Sequence, residues 1–195
     1  MRSFWYGEIN RRRPEGAEGP YIYRTFSAEL KFGYFQTFHA WLLSFGGFAA
    51  RIRYLMTIAF ATTDEEISEC YDVMSQLRPH IAREDFLPRV RRQMDGFNYG
   101  LVYVKDDDEI KAVAGIRISE WLHGGKYLEI DDLVASDGER SKGHGGKLFD
   151  WIVELARAEN CKHVRLLSGV QRFDAHRFYL KKRMNIEAHY FTLAL

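Results

Sequence analysis

The sequence predicts an α/β fold, with a mixed (α+β) sheet that carries helices on both of its faces. Two observations predict it: a run of strands joined by short turns comes first, and a strand–helix–strand unit follows. Hairpin-joined strands form an antiparallel meander, whereas a helix between two strands indicates a parallel crossover. A chain of 195 residues has room for one such domain, with or without an appendage.

Periodicity and turn residues give the element order β-α-α-β-β-β-α-β-α-β. Thr63 and Glu66 form a capping box that starts the first helix, and Pro88 predicts a bend in the second. The predicted helices are Asp64–Arg78, Arg83–Met94, a segment with the apolar face Leu148–Ala156, and Asp174–Lys182. The predicted strands are Thr57–Phe60, Asn98–Lys105, Glu109–Trp121, Tyr127–Ala135, His163–Ser168 and Ile186–Leu193.

Residues 1–55 differ in composition from residues 56–195. They are basic and rich in aromatic residues, and glycine and proline interrupt them. Three interpretations stay open: an aromatic appendage that packs on the main domain or a partner, a surface-binding arm, or sequence that precedes the true start at Met56. We expect this segment to be poorly ordered or a mis-assigned start, so that residues 56–195 form the functional domain.

Composition excludes several classes of protein. The formal net charge of +1 gives no reason to expect nucleic-acid binding. Two cysteines, Cys70 and Cys161, are too few for a disulfide scaffold and have no metal-ligand spacing, which favours a reducing, cytoplasmic environment without a metal. The most apolar stretch, Ala40–Ala50, is too short to span a membrane. A monomer and a homodimer both remain open.

A glycine-rich loop, Arg140–Gly146, lies between a predicted strand and a predicted helix. Amides at a helix N-terminus bind phosphate oxygens, and glycines let the backbone approach such an anion closely. The loop is not a P-loop, because Lys147 and Leu148 follow its last glycine, and it lacks the dinucleotide G-x-G-x-x-G pattern. The alternative is a glycine-rich turn with incidental basic residues.

Three motifs, together with the order of the predicted elements, resemble the GNAT family of N-acetyltransferases. Arg140-x-x-Gly143-x-Gly145 resembles its acyl-CoA signature, the segment 130–134 resembles its fourth strand, and the segment 175–179 resembles its A-x-x-x-Y helix. The resemblance covers about residues 56–195. It implies the GNAT-like acyl-CoA N-acyltransferase fold, acetyl-CoA as the acyl donor, an amine acceptor and no metal.

The resemblance also implies which residues bind the cofactor. The pantetheine arm would lie beside the backbone of Leu133, Val134 and Ala135, in a gap between the fourth and fifth strands. The pyrophosphate would lie on the loop residues Arg140, Ser141, Lys142, Gly143, His144, Gly145 and Gly146. Two positions depart from the family pattern. Arg172 stands where the family often has Asn, and it either supplies a cation to the phosphates or loses an amide contact. Arg183 replaces the glycine that usually follows the helix.

Acyl transfer to an amine needs a proton acceptor and an acid for the leaving thiolate. The resemblance implies Asp131 as the base, with Glu129 as second choice, and Tyr179 as the acid. Strand alternation predicts that Glu129 and Asp131 share one face and that Asp132 lies on the other. The alternatives are that the carboxylates bind nearby loops or attract a cationic substrate, and that Tyr179 is a core residue.

The roles of two histidines and the chemical identity of the acceptor stay open. We expect His144 to point to solvent, and His176 to be a structural histidine or to line the acceptor cleft. The sequence does not choose between a small amine, an amino acid and a protein amine, although the lack of a peptide-binding insertion favours a small molecule. The alternative function is a non-catalytic acyl-CoA-binding sensor or interaction module.

Overall fold

The computed structural model of the protein describes residues 56–139 and 142–195; the predictions for residues 1–55, Arg140 and Ser141 lie outside them. The strands are β1 (Thr57–Phe60), β2 (Tyr99–Asp106), β3 (Glu109–Trp121), β4 (Gly125–Ala135) and β5 (His163–Leu166). The helices are α1 (Asp64–Glu69), α2 (Tyr71–Met74), α3 (Arg83–Gly96), α4 (His144–Ala158) and α5 (Phe173–Lys181), with a 3₁₀ turn at Asp137–Glu139.

The five strands form one sheet in the order β1-β2-β3-β4-β5. The first four are antiparallel to their neighbours, and β5 is parallel to β4. The predicted mixed sheet is therefore confirmed. The β2–β3 turn is tight because Asp107 and Asp108 both adopt left-handed backbone conformations, with φ values of 51° and 61°. Consecutive positive φ values match the twist of a two-residue hairpin, and aspartate tolerates them well.

Two apolar layers cover the two faces of the sheet. On one face, Ile67, Met74 and Phe86 of the first three helices pack against Leu101 and other residues of β2 and β3. On the opposite face, the apolar side of α4 packs against β2, β3 and β4; the buried residues of α4 are His144, Leu148, Phe149, Ile152, Leu155 and Ala156. Full burial of one such aliphatic or aromatic side chain contributes about 1.5–3 kcal/mol. Among the described residues, no helix is long and apolar enough to cross a membrane.

The predicted first helix is divided in two at Cys70. The capping box that starts it is confirmed, since the Thr63 hydroxyl accepts from the Glu66 amide while Glu66 accepts from the Thr63 amide. At Cys70 the amide donates to the Ile67 carbonyl, three residues back, so the α-helical pattern is interrupted. The second predicted helix, α3, continues past Pro88 and ends at Gly96.

The predicted alternation of β4 is wrong at Asp132, because the strand contains a bulge. Gly115 of β3 lies opposite Asp132, while the next residue, Ile116, lies opposite Ile130. Asp131 is thus an extra residue on β4, and the side chains after it change face relative to those before it. Glu129 lies opposite Arg117 on β3, and Asp131 binds the same arginine, so these two carboxylates share a face as predicted. Asp132 lies opposite Gly115, two residues before Arg117, so the bulge places it on this face too and not on the opposite one.

The predicted last strand, Ile186–Leu193, is also wrong. Residues 185–195 form no helix or strand, and Ile186, Tyr190 and Phe191 are exposed. Alternation and propensity describe how a segment fits on a sheet, whereas a strand is stabilised by its ladder and its cross-strand side-chain pairs. Residues 186–193 have no such ladder or cross-strand pairs, since the described pairing of β5 is with β4 alone.

Candidate active site

A gap opens at the edge of the sheet where β4 and β5 separate. Their parallel pairing ends with Ile130 opposite Leu166. Beyond that point, residues 132–135 of β4 remain paired with β3 but have no described partner in β5. Their backbone N–H and C=O groups on the β5 side are therefore available to an extended ligand. This stretch contains the three residues expected beside the pantetheine arm: Leu133, Val134 and Ala135.

The glycine loop ends at the N-terminus of α4, next to this gap. Gly143 precedes the helix with a φ of 90°, which L side chains rarely adopt. The first hydrogen bond of the helix runs from the Lys147 amide to the Gly143 carbonyl. The amides of Gly145 and Gly146, which come before Lys147, therefore have no acceptor within the helix. A Cβ on Gly145 would lie 3.6 Å from the Cβ of Ala135. These amides, at the positive end of the helix dipole, are suited to phosphate oxygens.

His144 does not point to solvent, contrary to the expectation from the sequence. Its side chain is buried, and its Nε2 lies 3.0 Å from Oδ2 of Asp106 at the end of β2. The hydrogen bond with His144 is the main reason why the pKa of Asp106 lies below its ordinary value. The contact attaches the first residue of α4 to the β2–β3 hairpin. Lys142, two residues earlier, is exposed.

Asp131, the candidate base, is held by Arg117 of β3. The guanidinium of Arg117 donates to Asp131 Oδ2, to the side-chain oxygen of Gln93 and, at 2.8 Å, to the carbonyl of Phe97. Burial raises the pKa of Asp131 above its ordinary value, although the hydrogen bond from Arg117 opposes this effect. A carboxylate with a raised pKa is a better proton acceptor at neutral pH. This chemistry agrees with the role expected of Asp131.

Asp132 has a different partner. Arg78, which follows α2, donates from Nε to Asp132 Oδ1 at 2.6 Å and from Nη2 to the backbone carbonyl of Asp131 at 3.3 Å. The ring of Tyr99 lies over Gly115, where an added Cβ would come within 2.2 Å of the tyrosine hydroxyl. Glycine is therefore required at position 115 for Tyr99 to pack beside the bulge.

Glu129, the second candidate base, belongs to a separate cluster. It accepts a hydrogen bond of 2.8 Å from Arg165 of β5. The Arg165 guanidinium also lies over the rings of Trp121 and Tyr127, at 3.7 and 4.3 Å from their centroids. The two aromatic faces attract the guanidinium and stabilise it in this position. Glu129 therefore has a clear structural role.

Tyr179, the candidate acid, lies on α5. Its ring packs against Phe178 and near Phe149 of α4, with ring centroids 5.3 and 6.4 Å apart. Burial raises the pKa of Tyr179, an effect that the positive charge of Arg172 partly opposes. Its hydroxyl makes no hydrogen bond to the part of the chain that the structure describes, so its proton is available to a ligand.

The remaining predicted positions lie around α5. Arg172 is exposed and occupies the residue before the helix, where its side chain makes no cap hydrogen bond. His176 is half-buried on the helix itself. Arg183, just after the helix, has a φ of 63° and thus occupies the left-handed position for which glycine is usual.

Sequence reasoning missed the arginines that organise the carboxylates. Arg117 is far in sequence from Asp131, and Arg78 is farther from Asp132, so no local spacing could have paired them. The alternation of β3 places Arg117 among apolar neighbours, and this is the one signal that could have singled it out. In residues 56–139 and 142–195, no group of three or more His, Cys, Asp or Glu side chains is arranged to hold a metal ion.

Comparison with known proteins identifies the family. The model of the acetyltransferase (GNAT) family matches residues 60–184. The chain belongs to this family. The structure agrees, since its mixed sheet has the GNAT fold, and GNAT acetyltransferases are among its structural neighbours. The enzyme class follows from the family and from the curated relatives: the protein is an acetyltransferase.

Two curated relatives carry the name N-acetyltransferase. An uncharacterized N-acetyltransferase of Bacillus subtilis, YhdJ, is 37% identical over 131 residues, which cover 67% of this chain and 92% of that protein. The aminoalkylphosphonate N-acetyltransferase of Salmonella typhimurium is 31% identical over 88 residues, covering 45% of this chain and 57% of that relative.

Two solved acetyltransferase structures show the same fold at low sequence identity. The aminoglycoside N-acetyltransferase AAC(6')-Iy, in complex with CoA, has a TM-score of 0.64 at 10% identity and covers 72% of this chain and 95% of its own. A GNAT family acetyltransferase of Staphylococcus aureus has a TM-score of 0.61 at 18% identity, covering 72% of this chain and 98% of its own.

Proposed function

We propose that this GNAT acetyltransferase transfers an acetyl group from acetyl-CoA to the primary amine of a small molecule, by direct attack in a ternary complex. One observation carries the proposal: the unpaired stretch of β4 leads directly to the N-terminus of α4. An extended thioester arm fits the first, and a pyrophosphate fits the second. The CoA complex of the aminoglycoside N-acetyltransferase, which has the same fold, supports the choice of donor.

In this proposal, the donor is held through the backbone. Leu133, Val134 and Ala135 bind the pantetheine arm, and the amides of Gly145 and Gly146 bind the pyrophosphate. Arg140 and Ser141 extend the phosphate site, and the exposed Lys142 and Arg172 add positive charge at its rim. The thioester carbonyl then faces the bulge of β4, close to the carboxylates.

The transfer itself uses two side chains. The amine nitrogen attacks the thioester carbonyl carbon, and its proton passes to Asp131, directly or through water. The N–H of Val134 stabilises the oxyanion that forms on the carbonyl oxygen. As the C–S bond breaks, the thiolate sulfur takes the proton of Tyr179, and this phenol keeps its proton until then because burial raises its pKa.

The small-molecule acceptor is supported by the size of the available space. The cavity beside Asp132 and Tyr99 has a volume of about 200 Å³. Pockets for drug-sized ligands are usually larger, roughly 300–1,000 Å³, so this one suits a compact amine. The relative from Salmonella typhimurium, named for aminoalkylphosphonates, is consistent with an acceptor of this kind.

Titration calorimetry with acetyl-CoA tests the donor site directly. We expect saturable binding, and we expect Gly145→Leu to abolish it because the side chain would fill the space between the loop and Ala135. Gly96→Ala is the matched control, since nothing lies within 4 Å of a Cβ at that position. Absence of binding at millimolar acetyl-CoA would overturn the proposed donor. Binding without transfer to any amine would instead favour an acyl-CoA sensor.

A further inference from the structure

We propose that the acceptor is a small amine that carries an anionic group, and that Arg89 of α3 binds this anion. The inference rests on the proposed function, because it specifies the acceptor of that same site. It depends on the charges that line one cavity and on which of them are already paired.

The cavity lies between α3 and the bulge of β4. Its volume is about 200 Å³, and its polar lining includes Arg78, Arg89, Gln93, Tyr99 and Asp132. This volume is below the usual range of roughly 300–1,000 Å³ for drug-sized ligands, so a compact molecule is the expected occupant.

Most polar groups of this lining already have partners. Arg78 donates to Asp132, and these opposite charges neutralise each other locally. The Gln93 side-chain oxygen accepts a hydrogen bond from Arg117. The side chain of Asp132 is only 13% exposed, so it is committed to this pair rather than to solvent.

Arg89 is different. Its Nε is buried and has no hydrogen-bond partner, and its guanidinium makes no ion pair within the described part of the chain. A buried donor without an acceptor is unfavourable, and more so when the group is charged. A carboxylate, phosphonate or phosphate in the cavity would supply that acceptor in a bidentate geometry.

The arrangement of charges also orients the ligand. Arg89 attracts the anionic group towards α3, which leaves the amino end of the ligand towards the bulge of β4, where Asp131 and Asp132 lie. His80 at the cavity wall adds no negative charge. A compact zwitterion placed in this way presents its nitrogen to the candidate base. A polycationic amine would bring a second positive charge to Arg89 and would be disfavoured.

The first test compares matched amines at saturating acetyl-CoA. β-Alanine and β-alaninamide have nearly the same size but differ in charge, and 2-aminoethylphosphonate adds a stronger anion. We expect kcat/KM for either anionic amine to exceed that for the amide by at least tenfold. Arg89→Met should bring this ratio close to one, mainly by raising KM, while Arg92→Met removes the same charge from an exposed position of α3 and should leave the ratio unchanged.

The second test measures anion binding without turnover. 3-Phosphonopropionate, which has no amine, is titrated calorimetrically into the wild type and both variants. We expect at least tenfold weaker binding to Arg89→Met and unchanged binding to Arg92→Met. Binding that depends on Arg89 without transfer to any amine would overturn the proposed transfer to a small amine and retain the anion site. Transfer with no dependence on Arg89 in either test would overturn this inference and retain the transferase.

Discussion

Nε2 of His144 lies 3.0 Å from Oδ2 of Asp106, so the first residue of the helix that follows the phosphate loop is attached to the β2–β3 hairpin. The loop backbone must hold its amides in place to bind an anion, and this contact fixes one end of it. A side chain that was expected to face solvent thus anchors one end of the proposed donor site.

This contact predicts the effect of removing either partner. His144→Ala or Asp106→Ala should raise KM for acetyl-CoA roughly threefold to tenfold, because one hydrogen bond that orders the loop is lost. The value of kcat should change little, since neither residue touches the reacting atoms. Steady-state kinetics at saturating amine measures both constants. Asp107→Asn is the matched control, as Asp107 is exposed in the same turn; an equal effect there would contradict the role of His144.

The same contact predicts a pH dependence of stability. The pKa of Asp106 is lowered in the folded protein, so its contribution to the free energy of unfolding is present above its ordinary pKa of 3.8 and is lost as the pH falls through the folded value. The difference in stability between the wild type and Asp106→Asn should therefore shrink on acidification. Urea unfolding between pH 7 and pH 3 measures it. A difference that stays constant over this range would show that the carboxylate charge does not matter.

The two candidate bases can be separated by variants. Asp131→Asn should lower kcat by about 10²-fold or more, the range for loss of a positioned base, whereas Glu129→Gln should act chiefly on stability through Arg165. Because the ionised form of Asp131 accepts the proton, activity should fall as the pH drops through a pKa that burial raises above 3.8. This acidic limb should persist in Glu129→Gln and disappear in Asp131→Asn. The reverse pattern would identify Glu129 as the base.

Tyr179 should act on turnover rather than on binding. Tyr179→Phe should lower kcat by about 10²-fold and leave KM for acetyl-CoA nearly unchanged, because only the proton donor is removed. Burial raises the pKa of this phenol above its ordinary value of 10, so the wild type should lose no activity through Tyr179 below pH 10. The pH–rate profile and the kcat–KM split check both points. Unchanged turnover in Tyr179→Phe would assign the tyrosine to the core.

Arg183 offers a test of backbone strain outside the site. Its φ of 63° is unfavourable for a residue with a Cβ, by about 1–2 kcal/mol. Glycine relieves this strain but loses more entropy on folding, so Arg183→Gly should raise the free energy of unfolding by about 1 kcal/mol. Arg183→Ala keeps the Cβ and should give no such gain. Denaturant unfolding of the two variants decides between strain and charge as the cause.

The sequence predicted the parts of the fold that depend on local patterns. The capping box at Thr63 and the aspartate turn of the β2–β3 hairpin depend only on residues that are close together in the sequence, and both agree with the structure. The position of the glycine loop before α4 follows from glycines next to a helix start. Each of these features is determined within a few residues of chain.

The features that sequence reasoning missed depend on partners distant in sequence. The bulge at Asp131 arises from the pairing of β4 with β3, where Gly115 and Ile116 set the register. The pairing of His144 with Asp106 joins residues from different elements, so a position within a loop motif gave no sign of it. The prediction of the last strand was wrong for a related reason. The alternation of its residues does not show whether the edge of the sheet pairs with them.

The release of free CoA thiol, followed together with mass spectrometry of the amine, tests the central claim most directly. With acetyl-CoA and the amine panel, we expect thiol release that requires an amine, and one acetylated amine formed per thiol. Asp131→Asn and Tyr179→Phe should both reduce the two products in parallel. Acetyl-CoA that binds while neither product forms with any amine would contradict the account.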